Sequence, residues 1–485
     1  EFLIMKRTGR VLAILLALAM LLSVTAFATG TAASWSVFGG NADHNAVVDY
    51  APTTDVTVTK INLLNSNSGW DGVDNVPLMQ TVGTDNDAVT YAYVLYDGHA
   101  AGCTLAKINC SADTPYVVWH KQIESASGFQ LSTPLLVKGS NDNSEADDVI
   151  YAASNSGVVY KIEGLQANDT NATGVTATEI YTVSKGQINT PIVSYGDYIY
   201  FGTWVGNGTI EGSTEPGRYY QVQVANVPST SDDSYPVQSV SSIYKGFYWG
   251  GAVAVGEKVY FCGDGGYLYY RPMGDGFGTT ADTDIYATSI SLPSVDGNAA
   301  GDVRSTIMTK DGKLYFASKG SSIGNVYCYT IGSNGVPAFS WGAKLSYTIG
   351  NKTYSGNCTS TPVIADSGNI YVGFYSGFSA GGLMKITAPT SGTVGTATLI
   401  TVGGVAFTQP VQCTPVVYSE YGLDYFYFNT NSNGGAGYCF SVPVNSTNAT
   451  QVWATDGDTY ALGGMAICDG YAVFGNDYNH FYVIG

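Results

Sequence analysis

The chain has 485 residues, of which 45% are hydrophobic and 12% charged, and its formal net charge is −18. Twenty Lys and Arg spread among 38 Asp and Glu form no basic stripe for phosphate, which argues against a nucleic-acid partner. Sixty Gly and 37 Tyr against four His point instead to turn-rich β-structure with aromatic strands.

Residues 1–4 read as upstream translation, and an interpretable segment opens at Met5. Lys6, Arg7 and Arg10 precede an apolar run from Val11 to Val24, followed by the small-x-small pattern Ala26-Phe27-Ala28. This is the pattern of a secretory signal peptide cleaved near Ala28, and the run is shorter than the roughly 20 residues of a spanning helix. The expected mature chain, residues 29–485, has no later stretch long and apolar enough to cross a bilayer, and its charge falls to −20. We therefore expect a secreted or cell-surface protein. Its eight cysteines include no CxxC spacing for zinc, and disulfides are permitted but not specified.

After the leader, one phrase recurs: a small polar pair with Pro or an apolar residue, an apolar strand, a turn, an aromatic strand ending in Gly or Ser, a turn, and a third strand. Its clearest copies open at Ser132-Thr133-Pro134 and Ser360-Thr361-Pro362. Six further copies are anchored at Pro77, Pro191, Ala252, Ile307, Pro415 and Ala466, so that successive anchors lie 57, 57, 61, 55, 55, 53 and 51 residues apart. Short alternating strands bounded by turns such as Asp311-Gly312 and Asp469-Gly470 are hairpins, and three or four hairpinned strands per unit describe a propeller blade. The reading is all-β: an eight-bladed β-propeller forming one domain over residues 29–485, with seven blades as the alternative. The last unit runs out of chain after Phe481, so an outer strand around Trp35 and Phe38 is expected to pair there and close the ring.

Trp35-Ser36-Val37-Phe38-Gly39-Gly40-Asn41-Ala42-Asp43-His44-Asn45, with the repeated Ser-Thr-Pro, Ile-Tyr-Val-Gly and Leu-x-Lys-Ile phrases, resembles the pyrroloquinoline-quinone-like propeller repeat family. That resemblance implies the fold. It does not carry activity, because the family holds quinoprotein alcohol dehydrogenases as well as exported propellers without cofactor. The enzymes of the family are expected to show a vicinal Cys pair, calcium ligands and a Trp-docking phrase. Here no two cysteines are adjacent, and the phrase is eroded between Ala106 and Trp119, which argues against the quinone.

Other chemistry is sparse. His44, His99, His120 and His480 fall in different repeats, and no Gly-x-Ser-x-Gly elbow is present. The oxygen-rich insertion with Asp142, Asn143, Glu145 and Asp147 is a candidate calcium loop, its plainer reading being a solvated hairpin tip. Trp70, Phe247, Tyr248 and Trp249 enter innermost strands and are candidates for ligand contact at the mouth of the central channel, the other reading being packing between blades. No catalytic residue and no cofactor is named. The function expected is a non-catalytic binding or scaffolding module for extracellular proteins or glycans. The alternatives are a quinoprotein-type or carbohydrate-active enzyme, or a subunit of an extracellular polymer.

Overall fold

The structure is a computed structural model, described here over residues 34–64, 72–98, 102–125, 128–183, 185–206, 217–224, 237–243, 246–274 and 287–485. It is an all-β propeller. Apart from one 3-10 turn at Asp85–Asp87, every element among the described residues is a strand. The expected leader at residues 1–28 lies outside the described residues.

The repeat anchors mark the geometry directly. Each stands one or two residues before, or at the start of, an innermost strand: Leu78–Val82, Leu135–Val137, Val193–Tyr195, Val253–Val255, Met308–Lys310, Val363–Ile364, Val416–Glu420 and Ala466–Cys468. Among the described residues, seven blades take four antiparallel strands from one continuous stretch of chain, as in Leu135–Val137, Val149–Ala153, Val158–Glu163 and Thr176–Thr182. The expected count of eight is thereby corrected to the alternative of seven, because only seven units supply all four strands from their own stretch of chain. The eighth unit of the repeat is a composite sheet, in which Ala466–Cys468, Tyr471–Gly475 and His480–Ile484 are joined by Val58–Asn62 from the other end of the chain.

That pairing corrects the expected closing strand. An amino-terminal strand does lie on the last sheet, but it is Val58–Asn62, with Ile61 opposite Phe481 and Lys60 opposite Tyr482. Ser34–Trp35 instead pairs with the first blade, Trp35 opposite Met79. The cause is local: Gly39 and Gly40 adopt φ of +74° and +77°, and this left-handed turn swings the chain away from any continuing outer strand. A Cβ on Gly40 would stand 2.6 Å from the Trp35 ring, so the turn also depends on glycine for space.

The segment so redirected crosses from blade to blade. Ser36 O accepts from Leu136 N at 2.7 Å, Asp43 O from Thr309 N at 2.9 Å, and Ala46 O from Val417 N at 2.8 Å. Asn45 exchanges two bonds with the backbone of Ile364, at 2.9 and 2.8 Å, while His44 Nδ1 meets Ile307 O at 2.9 Å. Val47–Val48 then runs parallel to Val417 and Tyr418. Residues 34–48 thus form a plug bonded to inner strands of the first, second, fifth, sixth and seventh blades, and the Tyr195 hydroxyl of the third reaches Ala42 O at 3.2 Å.

Nearer the start of the inner strands, small hydroxyl residues stitch neighbouring blades together. Ser132 Oγ donates to Thr190 O at 2.7 Å, Thr361 Oγ1 to Thr306 O at 3.1 Å, and Thr414 Oγ1 accepts from Thr361 N at 2.9 Å. This explains why the repeated phrase carries Ser-Thr ahead of its anchor: a short hydroxyl can satisfy the next blade's backbone where two inner strands come close. Between such belts the blades pack through aromatic faces, for example Tyr219 on Phe261 at 4.3 Å.

Candidate functional site

The residue three places before each anchor sits where the inner strand begins, at the end of the channel beyond the plug. Asp74, Leu131, Trp249, Arg304, Thr359 and Gln412 all occupy this repeat position, and all border one cavity of about 290 Å³. Leu462, Phe129, Tyr375, Phe378, Tyr460 and Asp477 complete much of its wall. A narrower space of about 40 Å³ continues inward from Asp74, Trp249 and Gln412 to Phe38 of the plug. The channel is therefore a cup with an aromatic rim and a floor supplied by the plug.

Trp249 is held in an unusual conformation. Its φ of +58° lies in the left-handed region, which a bulky side chain rarely adopts, and its carbonyl is pinned by Thr306 Oγ1 at 3.0 Å and Gly251 N at 2.9 Å. The two following glycines permit this: a Cβ on Gly250 would lie 2.5 Å from Cys262 O, and one on Gly251 would lie 2.7 Å from Thr306 Oγ1. Tyr248 packs edge-on to Trp249, with ring centroids 4.7 Å apart. Burial pushes the Tyr248 phenol up to about 12 against the opposing pull of Arg304, so it is neutral at physiological pH.

Charge in the cup is divided. Arg304 donates from Nε and Nη2 to the two oxygens of Asp264, at 3.0 and 2.8 Å, and its guanidinium lies 4.6 Å over the Tyr248 ring. Asp74 and Asp477 are both buried, at 3% and 6% exposure, and hydrogen-bond to each other. Burial raises the Asp477 carboxyl to about 7, with the Asp74 bond pulling the other way, so near neutrality the two carboxyls hold a shared proton.

Each residue expected to act can now be placed. Tyr248 and Trp249 line the cup. Phe247 does not: it is fully buried between blades, 5.0 Å from the Tyr219 ring and 5.8 Å from that of Phe261. Trp70 lies outside the described residues. In the acidic insertion Asp142, Asn143 and Asp147 are exposed, but Glu145 turns inward, where it accepts from Lys107 Nζ at 2.7 Å and from the Tyr93 hydroxyl. The expectation of a four-residue calcium loop is corrected at Glu145, because a buried Lys and Tyr already claim both of its oxygens. Asp148 likewise pairs with Lys138 at 2.9 Å. Among the described residues no group of three or more His, Cys, Asp or Glu is placed to hold a metal ion. All eight cysteines are buried free thiols.

No family model and no curated protein matches the chain. Solved structures do. A europium-containing methanol dehydrogenase superposes with a TM-score of 0.52 at 10% identity, over 94% of this chain and 98% of that one. A quinohemoprotein alcohol dehydrogenase, ADHIIG from Pseudomonas putida HK5, gives 0.48 at 9% identity, over 93% and 80%. BamB from Moraxella catarrhalis gives 0.46 at 9% identity, over 88% and 99%. The first of these supports the β-propeller fold, and at such identity fold is all that follows.

Proposed function

We propose that this chain is an exported β-propeller, released or held outside the cytoplasm after cleavage near Ala28, whose blind cup binds the ligand of a non-catalytic recognition module. On this reading the blades and the composite sheet form a closed ring, and extracellular proteins or glycans present the ligand. The observation that carries it is the strained Trp249 at the cup wall. A bulky side chain kept at positive φ, braced by two glycines and a threonine, is a cost that packing alone does not require, since Phe247 next to it packs without one. Among the described residues no helix is long and apolar enough to cross a membrane.

The test is a glycan and peptide array on the purified mature chain, read again by quenching of tryptophan fluorescence, beside Trp249→Ala. Binding that Trp249→Ala weakens by about tenfold or more supports the reading. A chain that captures nothing, or whose binding ignores that substitution, overturns it.

A second reading, an enzyme of quinoprotein type, draws on the fold likeness. No two cysteines are adjacent and, among the described residues, no group of three His, Cys, Asp or Glu gathers, so we route no step through a quinone. Alcohol oxidation by the chain loaded with the quinone and calcium would favour that reading over the first.

A further inference from the structure

We propose that the cup takes an alkylammonium headgroup, caged by the Trp249, Phe378 and Tyr460 rings and neutralised by the Asp74–Asp477 pair. The inference rests on the binding-cup reading and names the ligand class for the same site.

Three features converge on it. The rim is aromatic and open: Phe378 is 52% exposed and meets Tyr460 edge-on at 5.5 Å, while Trp249 and Tyr248 line the same cavity. Ring faces attract a cation by their quadrupole, and more strongly once water is excluded. The second feature is the acid pair. Tyr460 is tied to it through its backbone, its carbonyl accepting from Asp477 N at 3.0 Å, so ring and carboxyl are held together. Asp74 and Asp477 hydrogen-bond to each other in a buried place where a positive ligand charge would offset the cost of ionising both.

The third feature is the disposition of the protein's own cations. Arg304 and Lys319 border the cavity, but the Arg304 fork is spent on Asp264, Asp302 lies 3.8 Å from it, and Lys319 is engaged within the protein as well. An anionic ligand would meet the acid pair with no guanidinium face to receive it. The net charge of −18 adds long-range attraction for cations. Seating the headgroup favours the fully ionised pair, so the shared proton leaves for solvent as the ligand enters, and no bond is made or broken in the ligand.

The experiment is calorimetric titration of the mature chain with choline, with its neutral carbon isostere 3,3-dimethylbutan-1-ol, and with acetate, at pH 6 and pH 8. Choline should bind at least about tenfold more tightly than the neutral isostere, more tightly at pH 8 than at pH 6, and acetate should not bind. The double variant Asp74→Asn, Asp477→Asn should lose the preference for choline over the isostere. Phe378→Ala removes only an exposed ring, and should weaken choline several-fold in a chain that folds normally even if the double variant does not. Equal binding of choline and its isostere, or no effect of Phe378→Ala, overturns the inference. If an array ligand binds in a Trp249-dependent way while choline fails, the cup stands and the ammonium falls. If nothing perturbs Trp249, both fall.

Discussion

Ile61 stands directly across the ladder from Phe481, which joins the composite sheet from two stretches of chain some 420 residues apart. Next to it, Asp458 Oδ2 accepts from Lys60 Nζ at 3.0 Å, Tyr482 Oη at 3.1 Å and Asn476 Nδ2 at 3.2 Å, and contacts His480 Nδ1. One carboxylate thus holds the borrowed strand to its neighbours.

Burial opposes ionisation of Asp458, but the bonds from His480, Lys60 and Asn476 hold its carboxyl down at about 2. Stability from a depressed carboxyl is present above its unfolded value of about 3.9 and is lost as pH falls toward 2. Melting temperature measured from pH 2 to pH 7 should therefore fall steeply at the acid end. Asp458→Asn should lower it by several degrees at pH 7 and flatten that limb.

The Asp74–Asp477 pair works in the opposite sense. With the Asp477 carboxyl raised to about 7, the folded chain binds a proton that the unfolded chain has given up, so its contribution is full below about 3.9 and disappears as pH rises through 7. Asp477→Asn should raise the melting temperature at pH 8 and leave it nearly unchanged at pH 4. An equal shift at both pH values would contradict this.

His44 anchors the plug as a neutral ring. Burial lowers it to about 4 against the raising effect of its bond to the Ile307 carbonyl, and the Tyr195 hydroxyl lies 3.4 Å from its other nitrogen. For a base held below its unfolded value of about 6.5, stability is present above that value and is lost as pH falls from 6.5 to 4. His44→Phe should melt earlier at pH 7, having lost the bond to Ile307, and should show a weaker pH dependence across that window. Protease cleavage between residues 34 and 50, followed by mass spectrometry at pH 5 and pH 7, gives the local readout.

Lys107 and Glu145 form a fully buried ion pair, with the ammonium also 3.9 Å over the Tyr91 ring and bonded to Leu165 O at 2.9 Å. Removing one partner strands a buried charge, so Lys107→Met should cost about 3–5 kcal/mol. The double variant Lys107→Met, Glu145→Leu should cost markedly less, because no unpaired charge is left buried and only the Tyr93 hydroxyl loses its acceptor. Urea midpoints for Lys107→Met, Glu145→Leu and the double variant measure the difference.

What the sequence carried plainly was the repeat, because Pro134, Pro362 and their counterparts mark a backbone position that every inner strand needs. The closing strand was misplaced for a physical reason: the segment around Trp35 and Phe38 reads as a strand, but the turn at Gly39-Gly40 redirects it and leaves Val58–Asn62 to join the last sheet. Glu145 looked like a loop oxygen because its partner Lys107 lies 38 residues earlier on another blade. The cup could have been found by reading down the position three before each anchor. Asp74, Arg304, Thr359 and Gln412 stand there beside Leu131, Ile188 and Trp249, a mixture that a strand start buried for packing alone would not carry.

With Phe38 bordering the inner end, a ligand of the proposed cup is expected to enter and leave between Phe378 and Trp249. Such a vessel receives tips and not middles: a free small molecule, a chain terminus or a side-chain end can seat fully, while the interior of a long polymer can only lie across the opening. A ligand of the proposed cup is therefore expected to present an end.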